Sequence, residues 1–303
     1  MASFNRINSF QWSLGKLSDA AAAVTVSPMK DLATCIYPPL KAYFENKLEL
    51  STDNLWLGKI VEDRSIESIQ AEAEKIVRCA DLKDGVRIYT TLNAPYEGLK
   101  SYFENAMFVP LEDIHQRNFN AVPEEEDLLD SSELKESMWK FSDNEVRFLF
   151  ARAAGQMSNY SAIKIAARVM IAVLAIGLTF SPFGWIAGLI IFAGAAFLYF
   201  AIDWCMERRL DHRAVEILTN RFEGPDRELN ATFAAINCLK KIQLRQLEER
   251  SYSKLYKFLI TEEGNVRFSL LPSLTSRIEK LEERLHDLLS RKVLHASSRF
   301  ASA

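Results

Sequence analysis

Residues 169–202 read VMIAVLAIGLTFSPFGWIAGLIIFAGAAFLYFAI, 34 consecutive positions without a charged side chain. As one helix the stretch would be about 51 Å long at 1.5 Å per residue, against a bilayer hydrocarbon core of roughly 30 Å. A single straight span is therefore too long, and a break is visible in Ser181-Pro182-Phe183-Gly184. Serine caps a helix, proline suits its first turn, and glycine tolerates the backbone of a tight turn. The spacing predicts two helices, 163–180 and 182–202, forming a transmembrane hairpin. The second helix has no internal charge, and the first carries Lys164 and Arg168 at its outer end, where their aliphatic stems reach the headgroups.

The flanks set the orientation. Arg152, Lys164 and Arg168 precede the pair, Arg208, Arg209 and Arg213 follow it, and the turn holds no basic residue. The positive-inside rule then puts both termini in the cytosol. Trp185 near the turn and Tyr199 with Trp204 near the exit sit where interfacial aromatics belong. Small residues such as Ala172, Gly177, Gly188 and Gly194 suit an antiparallel pair packed in lipid. The competing reading is a buried pair of core helices, although such helices are usually shorter and apolar on one face only.

Around this segment the composition is that of a globular chain: 303 residues, 49% hydrophobic and 25% charged, long enough for about two domains. The mean hydropathy of −0.06 averages the apolar segment against two polar flanks. Net charge is −3, which excludes a globally basic nucleic-acid binder. Residues 1–160 hold 17 basic and 25 acidic side chains, and residues 203–303 hold 18 and 15, so the flanks carry opposite charge and attract if they share one side of a membrane.

Chemistry-bearing motifs are absent from the sequence. Cys35, Cys79, Cys205 and Cys238 form no C-x-x-C pair, and His115, His212, His286 and His295 are scattered, so neither a disulfide scaffold nor a metal site is expected. No G-x-G-x-x-G, P-loop, G-x-S-x-G or kinase-type signature occurs, and no catalytic or cofactor-binding residue is assigned.

The flanks read as mainly α with a small β component, an α+β cytosolic domain. Residues 1–30 have no cleavable secretory signal; their scattered aromatics fit an uncleaved targeting or membrane-surface segment, or an N-terminus docked on the domain. In the α+β region 31–121, Ser65 caps a helix with Ile66, Ile69, Ala73, Ile76, Val77 and Ala80 at helical spacing, followed by a strand at Val86–Thr90. Residues 122–136, with Glu124, Glu125, Glu126 and Asp127, read as a solvated acidic linker. Ser142 and Glu145 form a capping box that opens a juxtamembrane helix over 142–162.

Region 203–271 contains a helix at 207–221 and a second from Asp226 to about Tyr252 with Leu229, Phe233, Ile236, Leu239 and Leu247 inside. Two strands follow, at 258–261 and 266–270, and the hairpin they form is expected to pair with the strand around Ile88. The helix 272–295 carries Leu274, Ile278, Leu281, Leu285 and Leu288 at alternating spacings of four and three, a heptad seam for docking on the chain itself or for binding a partner or a second copy. Residues 296–303 read as a disordered polar tail.

A bilobed apolar hairpin over 163–202 with a Ser-Pro-Phe-Gly turn, both flanks on one face, a Ser/Asn-rich start and a terminal heptad helix resembles the inclusion-membrane proteins of chlamydiae. The resemblance implies type III secretion, insertion into the vacuole membrane of a host cell, and host-facing domains that recruit host proteins or touch one another. The functional expectation is a hairpin-anchored integral membrane protein whose partners are the lipid bilayer and a protein bound at the heptad helix. Two alternatives remain: a membrane-active oligomer, and a membrane-tethered enzyme without a recognisable motif.

Overall fold

The computed structural model describes residues 39, 42, 46–54, 57, 61–83, 85–91, 96–100, 104–113, 117, 119, 140–158, 194, 205–207, 209–267 and 272–301. The chain divides into two compact units, one of Met1–Ala121 with Arg152–Met206 and one of Val122–Ala151 with Glu207–Ala303.

The first unit is built on a mixed sheet of β1 (Leu48–Glu49), β2 (Val86–Thr91), β3 (Glu97–Lys100) and β4 (Asn105–Pro110), in the order β1-β2-β4-β3. Strands β2 and β4 run parallel in the centre, and β1 and β3 pair antiparallel at the edges. The central position of β4 follows from its composition: Asn105 through Val109 are buried without alternation, as a strand covered on both faces requires. Tyr89 of β2 and Phe108 of β4 are register partners, and their rings stack with centroids 5.4 Å apart. Helix α1 (Asp63–Cys79) packs on β2 with Ile66, Ile69, Ala73, Ile76 and Val77 fully buried, while Glu67 and Arg78 face solvent. That periodicity was legible in the sequence. The cap was not: Glu62 precedes the helix, and Ser65 lies inside it, buried.

Helix α2 (Asp143–Met157) begins in the second unit and ends in the first. Its start has the expected capping box: the Ser142 N–H donates to Glu145 Oε2 at 2.6 Å, and the Glu145 N–H donates to Ser142 Oγ at 3.4 Å. Within the first unit its last turns meet Gly98 of β3. The Gly98 N–H donates to Gln156 Oε1 at 2.7 Å, and the Ala153 carbonyl occupies the space a Cβ on residue 98 would need.

The second unit is helical. It contains α3 (209–221), α4 (Arg227–Tyr252), α5 (Lys254–Leu259) and α6 (Leu274–Ala301). Leu210, Ala214, Ile217 and Leu218 of α3 are buried as their spacing indicates. On α4 the buried residues include the small side chains Ala231, Ala234, Ala235 and Cys238, which permit close approach of neighbouring backbones. Of the strand expected at 258–261, Phe258 and Leu259 are instead the end of α5, a helix that Ser253 caps by accepting from the Tyr256 N–H at 3.2 Å. Among the described residues of the expected hairpin there is a bridge between Ile260 and Val266, residues 268–270 lying outside them, and the strand at Ile88 pairs with β1 and β4 instead.

The chain is thus mostly helical with a small mixed sheet. No helix among the described residues is long and apolar enough to cross a membrane. This conflicts with the expected two-helix transmembrane hairpin and the integral-membrane placement drawn from it, which the described residues do not support. The long helices that are described do not fit a span: α4 and α6 carry Lys, Arg, Glu or Asp on nearly every turn, and hydrocarbon would strand those charges. The segment 163–202, apart from Gly194, lies outside the described residues, as do Ser181, Pro182, Phe183, Gly184, Lys164, Arg168 and Arg208. Arg209 is described, and is exposed at the start of α3.

Candidate functional site

The second unit is organised around α6, and its attachment begins at the loop before it. Gly264 adopts a positive φ of 75° against the Gln243 backbone, which places Asn265 at the N-terminus of α6. Asn265 is buried; its Oδ1 accepts from the Thr275 N–H at 3.1 Å and its Nδ2 donates to Thr275 Oγ1 at 2.8 Å. These bonds satisfy one of the amides that a helix start leaves without an intrahelical partner. Gln243 Nε2 reaches the same hydroxyl at 3.1 Å, tying the turn to α4.

Leu274, Ile278 and Leu281 of the heptad seam are buried, so the first half of that seam docks on the chain's own second unit. Charged contacts fix the register. Arg277 holds Asp211 of α3, Arg284 holds Glu228 of α4 at 2.8 Å, Lys240 of α4 holds Glu282 at 2.7 Å, and Lys292 pairs with Asp226 just before α4. The pairing of Lys240 with Glu282 and of Asp226 with Lys292 establishes that α4 and α6 run antiparallel, side by side.

That register brings together residues the sequence kept apart. Phe233 precedes Lys240 by seven positions and Leu289 follows Glu282 by seven. Seven residues are about two turns, roughly 10 Å of rise, and return the chain to nearly the same face. Counted from Lys240 and Glu282, Phe233 is level with Leu289, and counted from Asp226 and Lys292 it is level with Leu285, about one turn away; Phe233 thus stands beside the Leu285–Leu289 turn on the outer side of the helix pair, and Phe233 and Leu289 are 41% and 43% exposed. One turn beyond Leu289 on α6 stands Val293, 65% exposed. Leu285 and Leu288, the last two residues of the seam, are half-buried beside this patch. In the other direction along α4, past Lys240, Leu244 is exposed, and Tyr252, Leu255 and Phe258 extend the apolar exposure through α5.

Phe233 was expected inside and is outside, whereas Leu289 and Val293 belong to no heptad position. The signal for them was available in the i, i+4, i+8 spacing of Leu285, Leu289 and Val293, which is a second apolar row beside the seam. Burying a side chain such as Leu, Val or Phe is worth about 1.5–3 kcal/mol, so a group of exposed ones on two adjoining helices is a surface with affinity to give.

His212 of α3 faces Arg284, with Nδ1 and Nη1 3.5 Å apart. Burial, then the charge of Arg284, hold its imidazole below the ordinary histidine value, with Lys280 acting in the same direction and Asp211 and Glu216 opposing. Among the described residues no group of three or more His, Cys, Asp or Glu side chains is placed to hold a metal ion. A shallow depression lined by Glu279, Glu282, Glu283, His286 and Asp287 lies on α6 alone, with no second element to enclose a ligand.

No family model, curated protein or solved structure matches this chain.

Proposed function

We propose that the chain is a protein-interaction protein whose second unit binds another polypeptide through the outer face shared by α4 and α6. The observation that carries this reading is the exposure of Phe233 and Leu289 within about one turn of each other on two antiparallel helices joined by Lys240–Glu282 and Asp226–Lys292. Rigid, pre-positioned apolar side chains flanked by charge are the usual make-up of a helix-packing interface. The reading keeps the C-terminal helix as the binding element and moves its contact residues. Leu274, Ile278 and Leu281 hold the helix on the unit, and Phe233, Leu289 and Val293 meet the partner.

The test is a photo-crosslinking amino acid placed at position 289 of the full chain in cells, with the same group at exposed Glu67 of α1 as reference. A discrete adduct specific to position 289 is expected. Equal or absent adducts at the two positions would exclude this surface as an interface.

A further inference from the structure

We infer that the polypeptide bound at this face is a second copy of the chain, giving an antiparallel four-helix layer built from two α4–α6 pairs. The inference rests on the interaction reading above and names its partner. It follows from how the face is arranged. Lys240 and Glu282 are paired across the two helices, and Phe233 stands beside the Leu285–Leu289 turn about two turns away. A two-fold axis parallel to the helices keeps every residue at its own level while bringing α4 of one copy beside α6 of the other.

Under that operation Phe233 meets the Leu285–Leu289 turn of the second copy, and Lys240 comes within reach of its Glu282. Around the charged level the four side chains then alternate Lys, Glu, Lys, Glu, so each charge has two neighbours of opposite sign. A surface with separate basic and acidic ends would not match itself in this way. The neighbours across the new contact are antiparallel, as in up-and-down bundles with crossing angles of about 20°.

The area agrees. Helix α4 is 26 residues long, about 39 Å, and two adjacent helices present a face roughly 19 Å wide, which together offer on the order of 700 Å². Standard stable interfaces use about 800 Å² per partner. Phe233 and Leu289 lie within this face, where desolvated apolar anchors contribute most.

Sedimentation equilibrium of the full chain near about 50 µM is the experiment, read as mass. Wild type is expected at twice 34.5 kDa. Phe233→Asp combined with Leu289→Asp, both at exposed positions, should raise the dimer dissociation constant by about 100-fold or more while the helical circular dichroism is retained. Lys240→Glu alone and Glu282→Lys alone should each weaken the dimer by putting four like charges at one level, and mixing the two variants should restore it by pairing unlike chains. A monomeric wild type, or a dimer indifferent to all three variants, overturns the inference. The crosslink at position 289 separates the two readings. An adduct with only a different protein, or within one chain, overturns self-association, and the former leaves the interaction reading standing. No adduct overturns both.

Discussion

Arg277 grips Asp211 with two hydrogen bonds, Nε to Oδ2 at 2.6 Å and Nη2 to Oδ1 at 2.8 Å, and the two side chains are only 14% and 3% exposed. This is the bidentate geometry that a guanidinium offers and an ammonium cannot. It fastens the first turn of α6 to α3. Removing one partner leaves a buried charge unpaired, so Arg277→Ala should cost about 3–5 kcal/mol of unfolding free energy. Arg277→Lys should recover only part of that. The joint replacement Arg277→Met with Asp211→Leu should cost much less than either single truncation. Urea unfolding of wild type, these variants and the single replacements Arg277→Met and Asp211→Leu measures all three expectations, and additive single costs would refute the coupling.

This ion pair marks where the sequence stops being legible. Local order was readable because neighbouring side chains encode it: the apolar rhythm of Ile66 to Val77 gave α1, Ser142 with Glu145 gave the start of α2, and the seam from Leu274 gave α6. Residues 66 positions apart, as Asp211 and Arg277 are, carry no shared local signal. Strands β3 and β4 went unread for a related reason. Glu97-Gly98-Leu99-Lys100 is short, and Asn105–Pro110 is buried without alternation, so neither shows the period-two pattern of a half-exposed strand. The proposed binding face was half legible: α6 was singled out as an element, but Phe233 and the Leu285–Leu289 turn come together only once the helix register is known. The apolar run at 169–202 was read by composition and length, and that reading led to the membrane expectation that no described helix supports.

The capping box of α2 has a third member. Lys241 Nζ donates to Glu145 Oε2 at 2.8 Å and to the Lys140 carbonyl at 2.7 Å, and the Glu145 side chain is 5% exposed. Ser142→Ala should cost about 1 kcal/mol, the usual loss for a cap. Lys241→Met should cost more, because it leaves a buried carboxylate with the Ser142 amide as its remaining partner in the box. A double-mutant cycle between Lys241 and Glu145 should give a clear coupling, and the same cycle between the more exposed Arg213 and Glu216 should give about 0–1 kcal/mol. Equal couplings would show that burial of the first pair has no energetic consequence.

Gly98 is required by contact and not by backbone angle. Because the Ala153 carbonyl and the Met157 Cγ crowd the place of a Cβ, Gly98→Ala must push α2 away from β3 within the first unit. Overpacking against backbone that cannot rotate aside should cost about 3 kcal/mol or more. Gly85, with open space around it, supplies the control: Gly85→Ala should change stability by less than about 0.5 kcal/mol. Thermal unfolding distinguishes the two, and a tolerated Gly98→Ala would mean that strand and helix are not in close contact in solution.

The Tyr89 phenol is pushed up to about 12 from 10.0, chiefly by burial and then by the charges of Glu104 and Glu49. A group whose folded value is raised binds its proton more tightly in the native state, so its contribution is complete below pH 10 and is lost as pH climbs toward about 12. Wild type should therefore lose stability across that window faster than Tyr89→Phe, which has no proton to release. Denaturant midpoints at stepped alkaline pH report the difference, and parallel profiles would place Tyr89 in water.

His212 gives the opposite dependence at the acid side. Its folded value lies below the ordinary 6.5 because burial and the facing Arg284 and Lys280 disfavour the imidazolium, outweighing Asp211 and Glu216. The unfolded chain then binds the proton more readily than the native one, so stability is whole above pH 6.5 and falls as pH drops from there toward the folded value. Protonation also removes the lone pair that Nδ1 turns toward Arg284, and it sets a second cation beside the guanidinium that bonds Glu228. The attachment of α6 to α3 and α4 should loosen first. Hydrogen exchange of α6 amides near Arg284 should thus accelerate below pH 6.5 in wild type, after correction for the intrinsic pH dependence of exchange, and His212→Gln should suppress that acceleration. Identical protection in the two proteins across this range would remove His212 from any role in holding the helix.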